Sequence, residues 1–339
     1  MPRLLRIVLI RIGAMLLTPS ILLLMLGCSA STADEMTSTI VLGSSRIDVT
    51  LDSTDWQLAR PQLLAWVQRA AEAVAAYYGR YPRPHVSIRV SSSGGHGVHG
   101  GMTFGKDGGF IRIRVGRDTT AAELSDDWMM THEMVHLAYP SMEDEHHWIE
   151  EGLATYVEPI GRIQAGQITP ESMWADLVRD MPKGQPAEDD RGMDRTHTWG
   201  RTYWGGALFS LIADVEIRKK TGNRKGLQDA MRAILEAGGD ITDDWPIEKA
   251  FKTGDDAVGV AVLLPMYHEW KDKPVRVDLD SLWQQLGIAP DGKGVRFNDK
   301  APLAAIRKAI TAPKSSKAAA NGAHTELLSV IAGRRVLPR

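Results

Sequence analysis

The 339-residue chain has one cysteine, Cys28, so no disulfide can form within it. It has no excess of either charge. Forty Lys and Arg stand against 42 Asp and Glu, a formal net charge of -2. No broad basic field is therefore available to hold a nucleic-acid backbone, and no nucleic-acid partner is expected. No internal repeat is visible. What is present is the composition of a soluble globular protein, 43% hydrophobic and 24% charged, long enough for one large domain or two smaller ones.

The cysteine closes a distinctive N-terminus, MPRLLRIVLIRIGAMLLTPSILLLMLGCSA. Arg3, Arg6 and Arg11 form a basic start, and an apolar run follows up to Gly27. That pattern reads as a secretory signal rather than a core helix. With MLGC at its end, the segment resembles a bacterial lipobox, although Met25 stands where leucine is more usual. The resemblance implies lipidation of Cys28 and a lipid anchor to a membrane. Ser29 after the cysteine implies an exported protein on the periplasmic face of an outer membrane. Ordinary secretion and an uncleaved anchor helix are the alternatives.

Residues 29–39 are small and polar and read as a tether. TIVLGSSRIDVTLD, HVSIRV and FIRIRV have strand character. Between the first two, Leu63, Leu64, Val67, Ala71, Val74 and Tyr78 recur at helical spacing, with Pro82 and Pro84 expected to end the helix. SSSGGHGVHGGMTFGKDGG, with its eight glycines, predicts a mobile or sharply bent loop. Thr120 and Glu123 fit a capping box, which predicts that the next helix starts there. Beyond residue 195 the pattern is mostly helical, with Leu208, Leu211, Ile212 and Val215 on one face and Gly222 as a stop. Strands before residue 120 and helices after it predict an α+β fold.

The chemistry is concentrated in WMMTHEMVHLAYP, residues 128–140. Two imidazoles and a carboxylate in an apolar helix are costly to bury without a partner. His132 and His136, four apart, project side by side from one helical face, within reach of one Zn²⁺. Glu133 flanks them as a general base in the H-E-x-x-H arrangement. With 10 histidines in the chain, that motif arises by chance with a probability of roughly 2%, so metal binding is the better reading. A catalytic zinc takes a third protein ligand, and HHWIEEGLATYVE offers one. If this segment is helical, Ile149, Leu153, Tyr156 and Val157 form its buried stripe and Glu151 lies off it. Glu150 competes for the role, His146 and His147 less strongly, since adjacent histidines in a charged turn are usually solvated. Gly152 weakens the helix but leaves a bare surface for a close neighbour. Thr155, Asp126 and Asp127 are candidate acceptors for the outer histidine nitrogens.

H-E-x-x-H followed by WIEEGLATYVE resembles the gluzincin metallopeptidases, especially the aminopeptidase N and glycyl aminopeptidase groups. By position, the resemblance implies that Glu151 is the third zinc ligand, on a second helix antiparallel to the first. The gap from His136 to Glu151 is shorter than in aminopeptidase N-like enzymes, which implies a trimmed connecting loop. RTYWGGALFSLIADVEIRKKTG resembles the glycyl aminopeptidase pattern in which a tyrosine hydroxyl supports the tetrahedral intermediate, and Tyr203 matches it. His197 is the alternative donor. Gly100, Gly101 and Met102 fit the start of the G-x-M-E-N substrate loop, but Thr103 stands where the amine-binding glutamate would be. That departure puts strict aminopeptidase specificity in doubt, although the loop's backbone could still pair with an extended peptide.

The resemblance implies a thermolysin-like zincin catalytic domain over residues 40–195, a small mixed sheet with active-site helices, then a helical subdomain over 196–312 and a flexible tail over 313–339. Residues 1–28 would be the signal. The expected activity is zinc-dependent peptide-bond hydrolysis with one Zn²⁺ per chain and a peptide or protein substrate, its exo- or endo-character open. Three alternatives stand beside it: a zinc-binding envelope lipoprotein that no longer cleaves and acts as a scaffold, a hydrolase of non-peptide bonds, and an interaction protein with an accidental motif.

Overall fold

The computed structural model describes residues 36–105, 108–313 and 327–328. The signal segment with Cys28, most of the tether and most of the tail lie outside the described residues.

Strands β1 (Met36–Leu42) and β2 (Ser45–Leu51) form an antiparallel hairpin. Helix α1 (Arg60–Tyr78) follows, then β3 (His85–Ser93), β4 (Val98–Phe104) and β5 (Phe110–Gly116). β2 pairs with β3 and β3 with β5 in parallel, while β4 runs antiparallel to β5. With the two-residue β8 (Leu327–Leu328) against β1, the sheet order is β4-β5-β3-β2-β1-β8, leaving β4 at an edge. The expected face of α1 is buried as a set: Leu63, Leu64, Val67, Ala71, Val74 and Tyr78 are all in the core. The helix stops earlier than its prolines, at Gly79, whose φ of 81° only glycine adopts freely.

Two expectations need correction. The glycine-rich stretch is not simply a loop. Its middle is β4, and the sharp bends are confined to its flanks, where Gly95 and Gly97 have φ of 81° and 82°. Nor does the zinc-motif helix start at Thr120. The capping box there is real, but it opens the short α2 (Ala121–Asp126). Asp127 is extended, and its carboxylate accepts from the N–H groups of Met129 and Met130 at 3.1 and 3.2 Å and from the Trp66 indole at 2.9 Å. That cap starts a separate helix, α3 (Met129–His136).

The remaining elements are mostly helical. They are α4 (His147–Gln164), α5 (Pro170–Asp180), a π turn at Gly200–Gly205 running into α6 (Gly206–Lys220), α7 (Leu227–Glu236), α8 (Ile247–Val258), α9 (Leu263–Trp270), α10 (Leu279–Leu286) and α11 (Ala304–Thr311). A hairpin, β6 (Ile288–Asp291) and β7 (Gly294–Phe297), interrupts them. The fold is thus α+β, with most strands before residue 120. Apolar side chains from the sheet and from helices on both sides of residue 195 join in one contiguous core. The stripe of Ile149, Leu153, Tyr156 and Val157 on α4 is buried in it. Gly152 lets α4 meet α6 backbone to backbone: a Cβ there would stand 2.6 Å from Ala207 N.

Candidate metal centre

On α3, Met130, Met134 and Val135 face the core, and the opposite side carries His132 and His136, with ring centroids 4.9 Å apart. α4 brings Glu151 to them. Its Oε2 lies 3.0 Å from His132 Nε2 and 3.6 Å from His136 Nε2. Glu150 turns away, accepting from the Met142 N–H at 3.2 Å and pairing with His147 Nδ1 at 3.1 Å. Of the two adjacent carboxylates it is Glu151 that joins the histidines in a group able to hold a metal ion, with all three ligand atoms within 4.8 Å of one another.

The residues fit a zinc ion on two grounds. Atoms bound about 2.0–2.1 Å from one tetrahedral Zn²⁺ stand roughly 3.3 Å apart, and the two separations from Glu151 bracket that value. Charge agrees as well, since Glu133, Glu150, Glu151 and Asp244 line the same cleft as His132, His136 and His147, with no Lys or Arg among the lining residues. Burial holds His132 below the ordinary imidazole range, which keeps it in the neutral, ligating form. His136 is raised despite its burial, because Glu151, Glu133 and Glu150 outweigh desolvation. Burial also opposes ionisation of Glu151, but hydrogen bonds from His132 and His136 hold its carboxyl well below the usual range.

Glu133 is buried and is held from β4. The Thr103 hydroxyl donates to Glu133 Oε2 at 2.6 Å and lies 2.9 Å from the Glu133 main-chain oxygen. Gly101, two residues earlier on the same strand face, leaves the space the carboxylate fills. A Cβ there would stand 2.5 Å from Glu133 Cγ and 2.6 Å from Oε1. Tyr203 sits in the π turn with its ring stacked 6.2 Å from that of His132. Burial, then the neighbouring Glu151 and Glu133, push its phenol up to about 12, so it keeps the proton a donor needs. A cleft of about 920 Å³ joins these groups, lined by Gly100, Gly101, Met102, Glu133 and Tyr203 together with the three candidate ligands. His197, the alternative donor, is exposed and does not line it.

Other expectations fail at this site. His146 is not solvated. It is buried, and its Nε2 meets the Tyr267 hydroxyl at 2.9 Å in a separate polar cluster with Asp194. His147 is half-exposed, but its Nε2 contacts Glu151 Oε1 at 3.3 Å, a bracing role missed by the sequence reading. Its i,i+4 spacing to Glu151 was the available signal. Neither Thr155 nor the Asp126/Asp127 pair serves the histidines. The Thr155 hydroxyl donates to the Glu151 main-chain oxygen at 2.8 Å, and Asp127 caps α3. His132 Nδ1 is buried without a hydrogen-bond partner.

No family profile matches the sequence, and no curated protein matches it. Solved structures do. An aminopeptidase N family protein from Idiomarina loihiensis superposes on 75% of this chain and 49% of its own, with a TM-score of 0.57 and 13% identity. An M1 zinc metallopeptidase from Deinococcus radiodurans gives a TM-score of 0.47 over 73% of this chain and 53% of its own, at 11% identity. A two-domain M1 zinc metallopeptidase bound to L-arginine gives 0.49 over the same shares, at 13% identity. The class defined is therefore one of fold: a mixed α+β arrangement similar to that of the aminopeptidase N family protein, carrying a candidate His-His-Glu metal site. The chain spans about half the length of that protein.

Proposed function

We propose that the protein is a zinc-dependent peptidase, with a thermolysin-like zincin region over residues 40–195 and the helical part over 196–312 contributing Tyr203. The observation that carries this reading is the grouping of His132, His136 and Glu151 beside a buried carboxylate, Glu133, that is not one of the grouped ligands.

His132, His136 and Glu151 would hold the zinc. Bound there, the ion supplies Lewis acidity and makes water a nucleophile at neutral pH. Glu133 takes the proton from the attacking water and returns it to the leaving amine. Thr103 holds one Glu133 oxygen, which leaves Oε1 to face the cleft beside Gly101. Tyr203 donates its phenolic hydrogen to the substrate carbonyl oxygen as charge develops there, a contribution worth a few kcal/mol, on the order of 3, in comparable sites. The free edge of β4, with Gly100, Gly101 and Met102, supports an extended peptide laid beside it as an added strand. The Thr103 hydroxyl is engaged with Glu133, so it offers no anchor for a free amine, and the reading favours cleavage without strict dependence on a substrate N-terminus. We further propose export, lipidation at Cys28 and attachment to the periplasmic face of an outer membrane, as the N-terminal signal implies.

The test combines metal analysis with a peptide library bearing free and blocked N-termini. About one zinc per chain and cleavage of blocked peptides are expected. Glu133→Gln should keep the zinc and lose turnover. A wild-type protein that binds zinc and cleaves nothing would leave the scaffold reading in its place.

A further inference from the structure

Next to the metal cleft lies a second cavity of about 500 Å³. Trp128 and Tyr203 line both spaces, so the two meet at the candidate site itself. Trp199 and Trp204 extend the wall of the second cavity, with the buried Met173 and Leu177 of α5 behind them. The Trp199 and Tyr203 rings are stacked with centroids 5.8 Å apart, and the Trp128 and His132 rings are nearly perpendicular with centroids 5.4 Å apart. Whatever packs on Trp128 is therefore within one side chain of the candidate ligands.

Exposure points to the same place. Among the described residues, the large hydrophobic side chains left exposed are Met102, Trp128 and Trp199, at 49%, 47% and 60%. Each of the three lines one or both of these adjoining spaces. Exposed apolar groups gathered at one concave site mark a binding surface, whereas scattered ones mean little. The charges around the second cavity largely cancel one another. Glu158 pairs with Arg162 at 2.8 Å, Asp176 with Arg179 at 2.6 Å, and Asp180 with Arg179 and Lys183 at 2.6 and 2.7 Å. Asp126, exposed at the rim, is the remaining one. Lys183 is further occupied over the Trp199 and Trp204 rings, at 5.7 and 5.9 Å. A charged guest finds little unpaired countercharge, whereas an aromatic guest finds three indoles and a phenol, with ring–ring contact available beyond simple burial.

We propose that this cavity receives a large aromatic side chain of the peptide, on a residue flanking the bond that is cut. The placement rests on the peptidase reading, and the test separates the two. Blocked peptides differing only in Phe, Ala or Lys at each position flanking the cleavage point are titrated against the Glu133→Gln protein, with tryptophan fluorescence as the readout. The same set is then offered to the wild-type enzyme. At one flanking position Phe is expected to exceed Ala by about 10²-fold in affinity and in kcat/KM. Trp199→Ala, a change at a mostly exposed position, is expected to bring the Phe-to-Ala ratio to within a few-fold of unity. Equal binding of Phe and Ala, a preference for Lys, or an unchanged ratio in Trp199→Ala overturns the proposal. Wild-type cleavage indifferent to the side chain overturns it while leaving the peptidase reading intact. Phe-selective binding with no cleavage of any peptide upholds the cavity's ligand class and overturns the peptidase reading instead.

Discussion

Gly152 gives the sharpest test of how the site is held, because two physical effects predict opposite signs for Gly152→Ala. The residue lies inside α4, where replacing glycine by alanine gains about 1 kcal/mol of helix propensity. Against that stands the contact with α6. The new methyl would overlap the Gly206 Cα and carbonyl carbon and stand 2.6 Å from Ala207 N. The reciprocal position is as tight, since a Cβ on Gly206 would stand 2.8 Å from Gly152 Cα and overlap the Trp148 carbonyl oxygen. Every atom met is backbone, so no rotamer change relieves the overlap. Ordinary contact begins near 3.4 Å, and the overlap with Gly206 is deeper than that with Ala207, so the helices must part by roughly 1 Å or more, an overpacking that typically costs about 1–3 kcal/mol or more.

The displacement matters more than the energy, because the neighbouring residue is Glu151. Moving α4 from α6 shifts a carboxylate that now sits 3.0 and 3.6 Å from the two histidine nitrogens, close to the spacing that one zinc ion requires. The expected outcome is a net change between none and a loss of about 2 kcal/mol in the urea unfolding of metal-free protein, together with at least tenfold weaker zinc binding in chelator competition. Gly206→Ala should do the same. The double variant should cost less than the sum of the two, because parting the helices once relieves both overlaps. A Gly152→Ala protein that is more stable by the propensity increment and binds zinc as tightly as the wild type would refute the packing account.

Three further outcomes are expected. Thr103→Val removes the donor to Glu133 in an equal volume and should lower kcat about 10–100-fold with KM nearly unchanged, Thr103→Ser restoring most of it; an unaffected kcat would end the positioning role. Chelation should lower the melting temperature, and zinc at about 1,000 times its Kd should restore roughly 4 kcal/mol, whereas a melting curve indifferent to zinc would count against a site in the folded chain. Burial pushes the Glu158 carboxyl from 4.5 up to about 7, only partly offset by Arg162, so between those values the folded chain keeps a proton that the unfolded chain releases. Stability from this group therefore falls as pH rises through that window, by at most about 3 kcal/mol, and Glu158→Gln should flatten the curve there; parallel curves would contradict this.

The parts of the site legible in the sequence were those coded by spacing within one helix. His132 and His136 share a face because they are four apart; Glu151 lies off the buried stripe of α4, but its choice over Glu150 rests on the resemblance to the gluzincin motif and not on spacing. Gly152, a glycine amid good helix formers, marks a close approach for a local reason, although nothing local names Gly206 as its partner. The misreadings came where two local signals competed or where the deciding contact was distant. Thr120 and Glu123 do form a cap, but the Asp127 carboxylate, also bonded to Trp66 61 residues earlier, caps a second helix and splits the segment. Asp291 and Gly292 between short alternating runs were a legible hairpin signal, yet they sat inside a region whose helical periodicity dominated the reading.

Thr103 takes its meaning from a contact distant in sequence. Against the aminopeptidase loop it looks like the loss of a functional carboxylate. In the folded chain, Gly101 and Thr103 are two apart on one strand, so both face α3. One yields the space for Glu133 and the other hydrogen-bonds to it across 30 positions of sequence. A glutamate at position 103 would face Glu133 there, and two carboxylates so placed would repel and disturb each other's ionisation. The threonine is thus compatible with the general-base role proposed for Glu133 in a way that a glutamate at the same side-chain position of this chain would not be. In this chain, substrate-amine recognition at that point and the present hold on Glu133 are alternatives, and strict dependence on a free N-terminus would require a different acidic group in the cleft to supply it.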